Sequence, residues 1–383
     1  PSRSVCRVCT TTMGFSTEIK CPSGAVAFGL DFHPSERLLA AGLISGQLRI
    51  FRVGEGGCSG KRELAARPHT EACRSVRFDP AGTHLLSCSS DCSVQRRDIE
   101  SNQPVWRMRR AHDSSINVCV PLGPHGVGTG DDDGIVHVWD VRQKGRIMRF
   151  VEHADLVNDL HFSLDKLQLA CCSSDGHLSV YDLRKGRLEA RSDELEEELL
   201  CLATMKGGKK LLAGTDSGVI GVFTWGDFGD FSDRMTPKLI GCADAVQTIA
   251  PLDDHVMLVA SADGVLRAIA LHPSRQLGQV GCHPEPLEKL AVDSEAAIAA
   301  TSAHDGVIRL WDVRGFTGLR RGRGTPATKP SRPSASESDD DSDDDMDKEE
   351  EEAVEASPPA KKLKKGNLKK GPISLDAGFC DDL

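Results

Sequence analysis

The chain has 383 residues, 57 carboxylates against 47 Lys plus Arg, and a formal net charge of −10. That length can bury a large core, while the acidic balance argues against bulk attraction to nucleic acid or anionic membranes. No apolar run approaches the roughly 20 residues that span a bilayer, and the start lacks a basic-then-apolar leader pattern. The fourteen Cys are scattered through strand-like segments rather than spaced as a framework, so buried free thiols in a soluble, intracellular protein are expected.

In chain order, the first feature is Cys6-Arg-Val-Cys9. Its spacing suits a metal, but no second Cys-x-x-Cys completes a zinc site, and incidental thiols are the plainer reading. From Gly46 onward a unit recurs. Aligning on the Gly of a tight turn gives Gly46, Gly134, Gly176, Gly218, Gly264 and Gly306, with Cys92 filling the gap, at intervals of 46, 42, 42, 42, 46 and 42 residues. The fourth copy shows the internal grammar: "VNDLHFS", then "LQLACCSSDG", then "HLSVYDL". These read as two period-two strands, an Asp-Gly turn and a third strand. Five residues after each turn Gly comes a slot holding Phe51, Arg97, Trp139, Tyr181, Phe223, Ile269 and Trp311. His69, His112, His153 and His283 stand 27 or 28 residues before the slot.

A period of about 40–45 residues is that of a four-stranded propeller blade. With the Gly-His to Trp-Asp grammar, the chain resembles the WD40-repeat family over about 300 residues. Seven copies imply an all-β, seven-bladed WD40 β-propeller over 23–314. Trp139 and Trp311 are then core residues between adjacent sheets. The Asp before each turn Gly is expected to hydrogen-bond the upstream His, with His153, Ser173, Asp175 and Tyr181 as the set in blade four. A His/Ser/Asp trio invites a hydrolase reading, but it recurs with the repeat and would be buried. After Arg314 no good outer strand remains for blade seven, and propellers avoid open edges by closing the ring. The N-terminal segment 1–22, through "STEIKCPS", is expected to supply that strand.

Asp131, Asp132 and Asp133 faintly resemble a calcium loop, but the bidentate Glu is absent and the run lies where every blade turns. There is no glycine-rich phosphate loop and no nucleophile elbow. No enzyme, cofactor or metal site is expected. Between blades five and six, "TWGDFGDFSDR" places Trp225, Phe228 and Phe231 among Gly and Asp. Two readings stay open there: a local core that tacks the insertion down, or exposed aromatic anchors for a partner.

Residues 315–383 change composition. The acidic part, 337–355, carries 13 carboxylates and cannot bury enough apolar surface to fold, so a disordered tail is expected. Ser336, Ser338 and Ser342 precede acidic residues and suit acidophilic kinases. The basic part, 361–370, has six Lys. Lys361, Lys362, Lys364 and Lys365 read either as solvated charge or as a nuclear or nucleolar targeting patch.

"FGLDFHPSERLLAAG", "FTWGDFGDFSDR", "SADGVLRAI", "SAHDGVIRLWDV" and the acidic-then-basic tail together resemble the WD repeat-containing protein 55 family. The resemblance implies a nuclear or nucleolar protein, shared with the cytoplasm, that acts in ribosomal RNA production and ribosome biogenesis. For plant members it implies substrate receptors of a cullin-RING ubiquitin ligase that dock through Trp-Asp-x-Arg motifs. Blades three and seven match that motif with Asp133, Trp139, Asp140 and Arg142, and with Asp305, Trp311, Asp312 and Arg314. Blade four departs at Tyr181 but keeps Asp182 and Arg184, and Arg97 removes blade two. Each Arg reads either as a docking group or as a local salt bridge to the adjacent Asp. The implied partners are proteins, either pre-ribosomal factors or a ligase adaptor, bound by a monomer within a larger complex. Direct nucleic-acid binding by the propeller and membrane association are not expected.

Overall fold

The alternating apolar runs form short antiparallel strands whose central members are covered on both sides. Leu38–Leu43, Gly126–Asp131 and Val256–Ser261 are buried at every position, as strands between two packed sheets must be. The computed structural model describes residues 15–54, 62–143 and 145–318. Cys6, Cys9, Ser336, Ser338, Ser342 and the Lys361–Lys370 cluster lie outside them.

Seven four-stranded sheets make a seven-bladed propeller. Blade one runs from Ala27–Phe32 to Arg62–Ala66, blade two from Cys73–Phe78 to Pro104–Met108, and blade three from Ile116–Leu122 to Arg146–Val151. Blade four runs from Val157–Ser163 to Arg187–Arg191, blade five from Leu199–Met205 to Asp233–Met235, and blade six from Val246–Pro251 to Arg275–Cys282. Each innermost strand adjoins those of its neighbours, and Ala27–Phe32 beside Leu287–Val292 completes the ring.

Blade seven is assembled from both ends of the described chain. Leu287–Val292, Ile298–Ala303 and Val307–Asp312 provide three strands, and Phe15–Lys20 is the outer one, pairing antiparallel with Val307–Asp312. Buried Ile19, an Arg309–Glu18 ion pair of 3.2 Å and a Cys21 N–H bond to the Gly306 carbonyl at 3.1 Å hold it.

The turn glycine is required for two reasons. Gly134 has φ 75°, a region costing other L-residues about 1–2 kcal/mol. A Cβ there would also stand 2.6 Å from the His153 carbonyl oxygen. Cys92 takes the same conformation, φ 60°, without being glycine.

Strands within a blade alternate in direction, so loops after first and third strands open on one face. The Asp-Gly turns lie on the other. Among the described residues ten Cys are free, eight of them buried, and no helix is long and apolar enough to cross a membrane.

Candidate interaction surface

Blades three and seven share one buried relay. In blade seven, Trp311 donates from Nε1 to Thr301 Oγ1 at 2.8 Å. The same hydroxyl meets His283 Nε2 at 2.8 Å, and His283 Nδ1 meets Asp305 at 3.0 Å. In blade three the chain is Trp139, Thr129, His112 and Asp131, with steps of 2.9, 2.7 and 2.7 Å. The acid there is Asp131, not the expected Asp133 beside the turn Gly. Asp131 also caps the turn by accepting the N–H groups of Asp133 and Ile135 at 3.1 and 2.8 Å. Of the triple Asp, Asp131 serves the turn and the relay, while Asp132 accepts from Asn117 Nδ2 at 2.6 Å and pairs with Arg74 at 3.4 Å. Thr129, His112 and Asp131 are no more than 4% exposed, which leaves a substrate no access to them.

Blade four corrects the expected set again. His153 does bond Asp175, at 3.1 Å to each carboxylate oxygen. Ser173 is not part of the relay, because its hydroxyl donates to the Asp155 carbonyl at 3.0 Å. The place of Thr129 and Thr301, five residues before the turn Gly, belongs to Cys171. Tyr181 stacks on Phe150 at 4.2 Å, yet its hydroxyl and His153 Nε2 have no hydrogen-bond partner. Burial pushes the Cys171 thiol well above its ordinary range, so it is a buried neutral thiol. The column Ala41, Ser87, Thr129, Cys171, Ala213, Val259 and Thr301 was present in the sequence as the signal for this position.

The inserted aromatics resolve towards a local core. Phe228 is 5% exposed and packs with Leu195, Leu199 and Phe223 between blades four and five. It is therefore not an exposed anchor. Trp225, half-buried, donates to Gln168 Oε1 at 2.8 Å and carries Lys166 Nζ 4.6 Å from its ring centroid. Phe231, also half-buried, lies 4.8 Å from Phe223, with the Arg234 guanidinium 4.8 Å from its centroid. Phe231 occupies the space a Cβ on Gly221 would need. The fourth strand of blade five is only Asp233–Met235, and these rings supply the packing that a longer strand would give.

The motif arginines all follow third strands and so share one face of the propeller. Arg142 folds back on buried Asp140, with Nε 3.0 and 3.1 Å from the two carboxylate oxygens and Nη2 2.8 Å from Oδ2. Burial opposes the Asp140 charge, and the Arg142 hydrogen bonds outweigh it, so its carboxyl lies below the usual range. Arg314 clasps Asp312 in the same way, with Nε at 2.9 and 3.1 Å. These arginines make the local ion pair while their side chains stay 41% and 72% exposed. Arg184 differs, since Lys185 takes Asp182 at 2.9 Å and Arg184 Nη2 donates to the Lys166 carbonyl at 3.2 Å. In blade two the Arg97 guanidinium fills the aromatic slot and bonds Asn102.

Comparison of the sequence with known proteins points to one family. The WDR55 family model covers residues 17–316. The chain belongs to the WDR55 family. It is 35% identical over 290 residues to WD repeat-containing protein 55 of Arabidopsis thaliana, covering 76% of this chain and 81% of that protein. Against the Mus musculus and Homo sapiens proteins of the same name, identity is 33% over 290 residues, covering 76% of this chain and 74% and 75% of theirs. The matched WDR55 region spans the seven blades and all but the first two residues of the closing strand.

Proposed function

We infer that this chain is a non-enzymatic interaction scaffold of the nucleus and nucleolus that acts in ribosomal RNA production and ribosome biogenesis. WDR55 family membership carries the reading. The six Lys within 361–370 support it, because dense basic clusters bind import receptors and RNA-rich bodies. A propeller whose polar relays are sealed between blades offers its loops and rim, rather than a cavity, as working surface. The test is a tagged full chain with Lys361, Lys362, Lys364 and Lys365 replaced by Ala. Its melting temperature should match wild type while its nucleolar signal falls. Wild-type accumulation in nucleoli would remove the cluster as the targeting signal, and unaltered pre-rRNA levels on depletion of the protein would remove the reading.

A second reading, docking of a cullin-RING ligase adaptor, is favoured by the Asp140–Arg142 and Asp312–Arg314 pairs. Each guanidinium is held in a fixed pose by its Asp at an exposed position, and a guanidinium fork suits a partner's carboxylate or carbonyl. Pull-down of Arg142→Ala/Arg314→Ala with purified adaptor should recover less than wild type. Equal recovery would leave the scaffold alone.

A further inference from the structure

The groove between the outer strands of blades two and three lies over Trp139 of the buried relay, and its exposed side chains belong neither to that relay nor to the motif arginines. Register fixes what faces it. On blade three, Val151, Arg149 and Arg146 pair with Ile135, His137 and Trp139. Trp139 packs towards blade two with Leu86 and Cys88. Directly opposed residues share a sheet face, so Val151, Arg149 and Arg146 also stand on the side turned to blade two. On blade two, Trp106 and Met108 pair with Arg96 and Val94 and pack into the same cluster from the other side. The rings of Trp106 and Trp139 lie 6.2 Å apart. The groove therefore has an aromatic floor, arginines along one wall and Val151, 50% exposed, at its margin.

Its charge is uncompensated. Arg109, Arg110, Arg146 and Arg149 are exposed, and among the described residues none of them has a carboxylate within ion-pair distance. No acid occurs between Pro104 and His112. The nearest titratable neighbour, His137, lies 3.4 Å from Arg146 Nη1. Burial, with His112 and Arg146 beside it, pushes its imidazole down to about 3, so it adds no positive charge of its own. Arg146 and Arg149 stand on the same face of one strand without a carboxylate partner among the described residues, so an anion set between them gains from both guanidiniums. Arginine beside Trp and exposed aliphatic surface is also the composition enriched where proteins bind one another.

We propose that this groove binds an extended acidic segment of a partner protein, with carboxylates forked onto Arg146 and Arg149 and apolar side chains laid on Trp106 and Val151. A peptide fits better than a nucleic acid, because a sugar-phosphate backbone offers nothing apolar to Val151 between the charged contacts. The site uses neither Arg142 nor Arg314, although Arg146 follows Arg142 by only four residues across the turn between the third and fourth strands of blade three, and its test is separate from that of the ligase reading.

Fluorescence anisotropy on the full chain tests it, with a labelled short peptide of alternating glutamate and leucine as probe. Saturable binding is expected, weakened at least about tenfold by Arg146→Glu with Arg149→Glu. A glutamine-for-glutamate peptide should not bind. Val151→Ser should weaken binding without changing the charge, and thermal melts should show both variants folded. Arg275→Glu, at an exposed arginine on the outer strand of blade six, should bind as wild type. Absence of binding by wild type, or an equal loss with Arg275→Glu, would overturn the proposal. A mixed-sequence single-stranded RNA that binds more tightly than the peptide would overturn it in favour of a nucleic-acid surface.

Discussion

Blades three and seven seal themselves with a four-member polar relay, whereas blades five and six do the same job with none. At the positions of His, Thr and Trp, blade five has Leu195, Ala213 and Phe223, and blade six has Cys242, Val259 and Ile269. All six are buried, none more than 6% exposed. The strand order and pairing are the same in both kinds of blade. A buried polar network and a well-packed apolar one are thus interchangeable as glue, provided each is complete. Blade four falls between them: the His–Asp step is made, but Cys171 cannot link His153 Nε2 to Tyr181 as Thr301 links its own His and Trp.

The largest expected effect comes from the closing strand, which every kind of blade depends on. Deleting residues 1–22 removes Phe15–Lys20 and opens blade seven along Val307–Asp312. Scanning calorimetry should show loss of the cooperative transition or a fall of more than about 10 °C. A truncated protein melting at the wild-type temperature would show that closure contributes nothing.

Next comes the apolar seal of blade five. Phe228→Ala should cost about 3–5 kcal/mol in denaturant unfolding, the range for a buried Phe. If it costs little, the insertion is not the packing that replaces a full fourth strand.

The relay itself gives the sharpest contrast. Thr301→Val removes the hydroxyl that Trp311 Nε1 and His283 Nε2 share and should cost about 1–3 kcal/mol for each hydrogen bond lost. Converting the set together, His283→Leu with Thr301→Val and Trp311→Phe, should cost less than the single change, because nothing polar is then orphaned. Asp305 would keep its 3.4 Å ion pair with Arg309. A triple variant weaker than the single one would mean that the two kinds of blade are not interchangeable.

The smallest effect is at Cys92, the one turn position of the repeat in blades two to seven that does without glycine. Cys92→Gly relieves the left-handed strain, partly offset by a freer unfolded chain, for a net gain of at most about 1 kcal/mol. Thermal melts should show no loss.

The propeller was legible in the sequence because its signals repeat: turn glycine, slot and upstream His recur at fixed spacing, and one poor copy, such as Arg97 in blade two, cannot mask six others. What was not legible sits where one blade departs from its siblings. Asp131 takes the relay from Asp133 because it ends the second strand beside His112, a choice that three adjacent aspartates cannot reveal. Ser173 looked like the relay hydroxyl from proximity to Asp175, while strand alternation sends it to the Asp155 carbonyl. The inserted aromatics read either as a local core or as anchors, since spacing alone does not say that blade five lacks a full outer strand. For the motif arginines the sequence left two readings, docking group or local salt bridge, and only the structure shows Arg142 and Arg314 clasped on Asp140 and Asp312.

We propose assembly with ribosome-building proteins through the propeller surface as the role of this WDR55 member. Affinity purification of the tagged full chain from intact cells, quantified against an untagged control, tests it most directly. Pre-ribosomal proteins should be enriched, in amounts unaffected by Arg142→Ala/Arg314→Ala. Enrichment of ligase subunits alone, or of neither class, would contradict it.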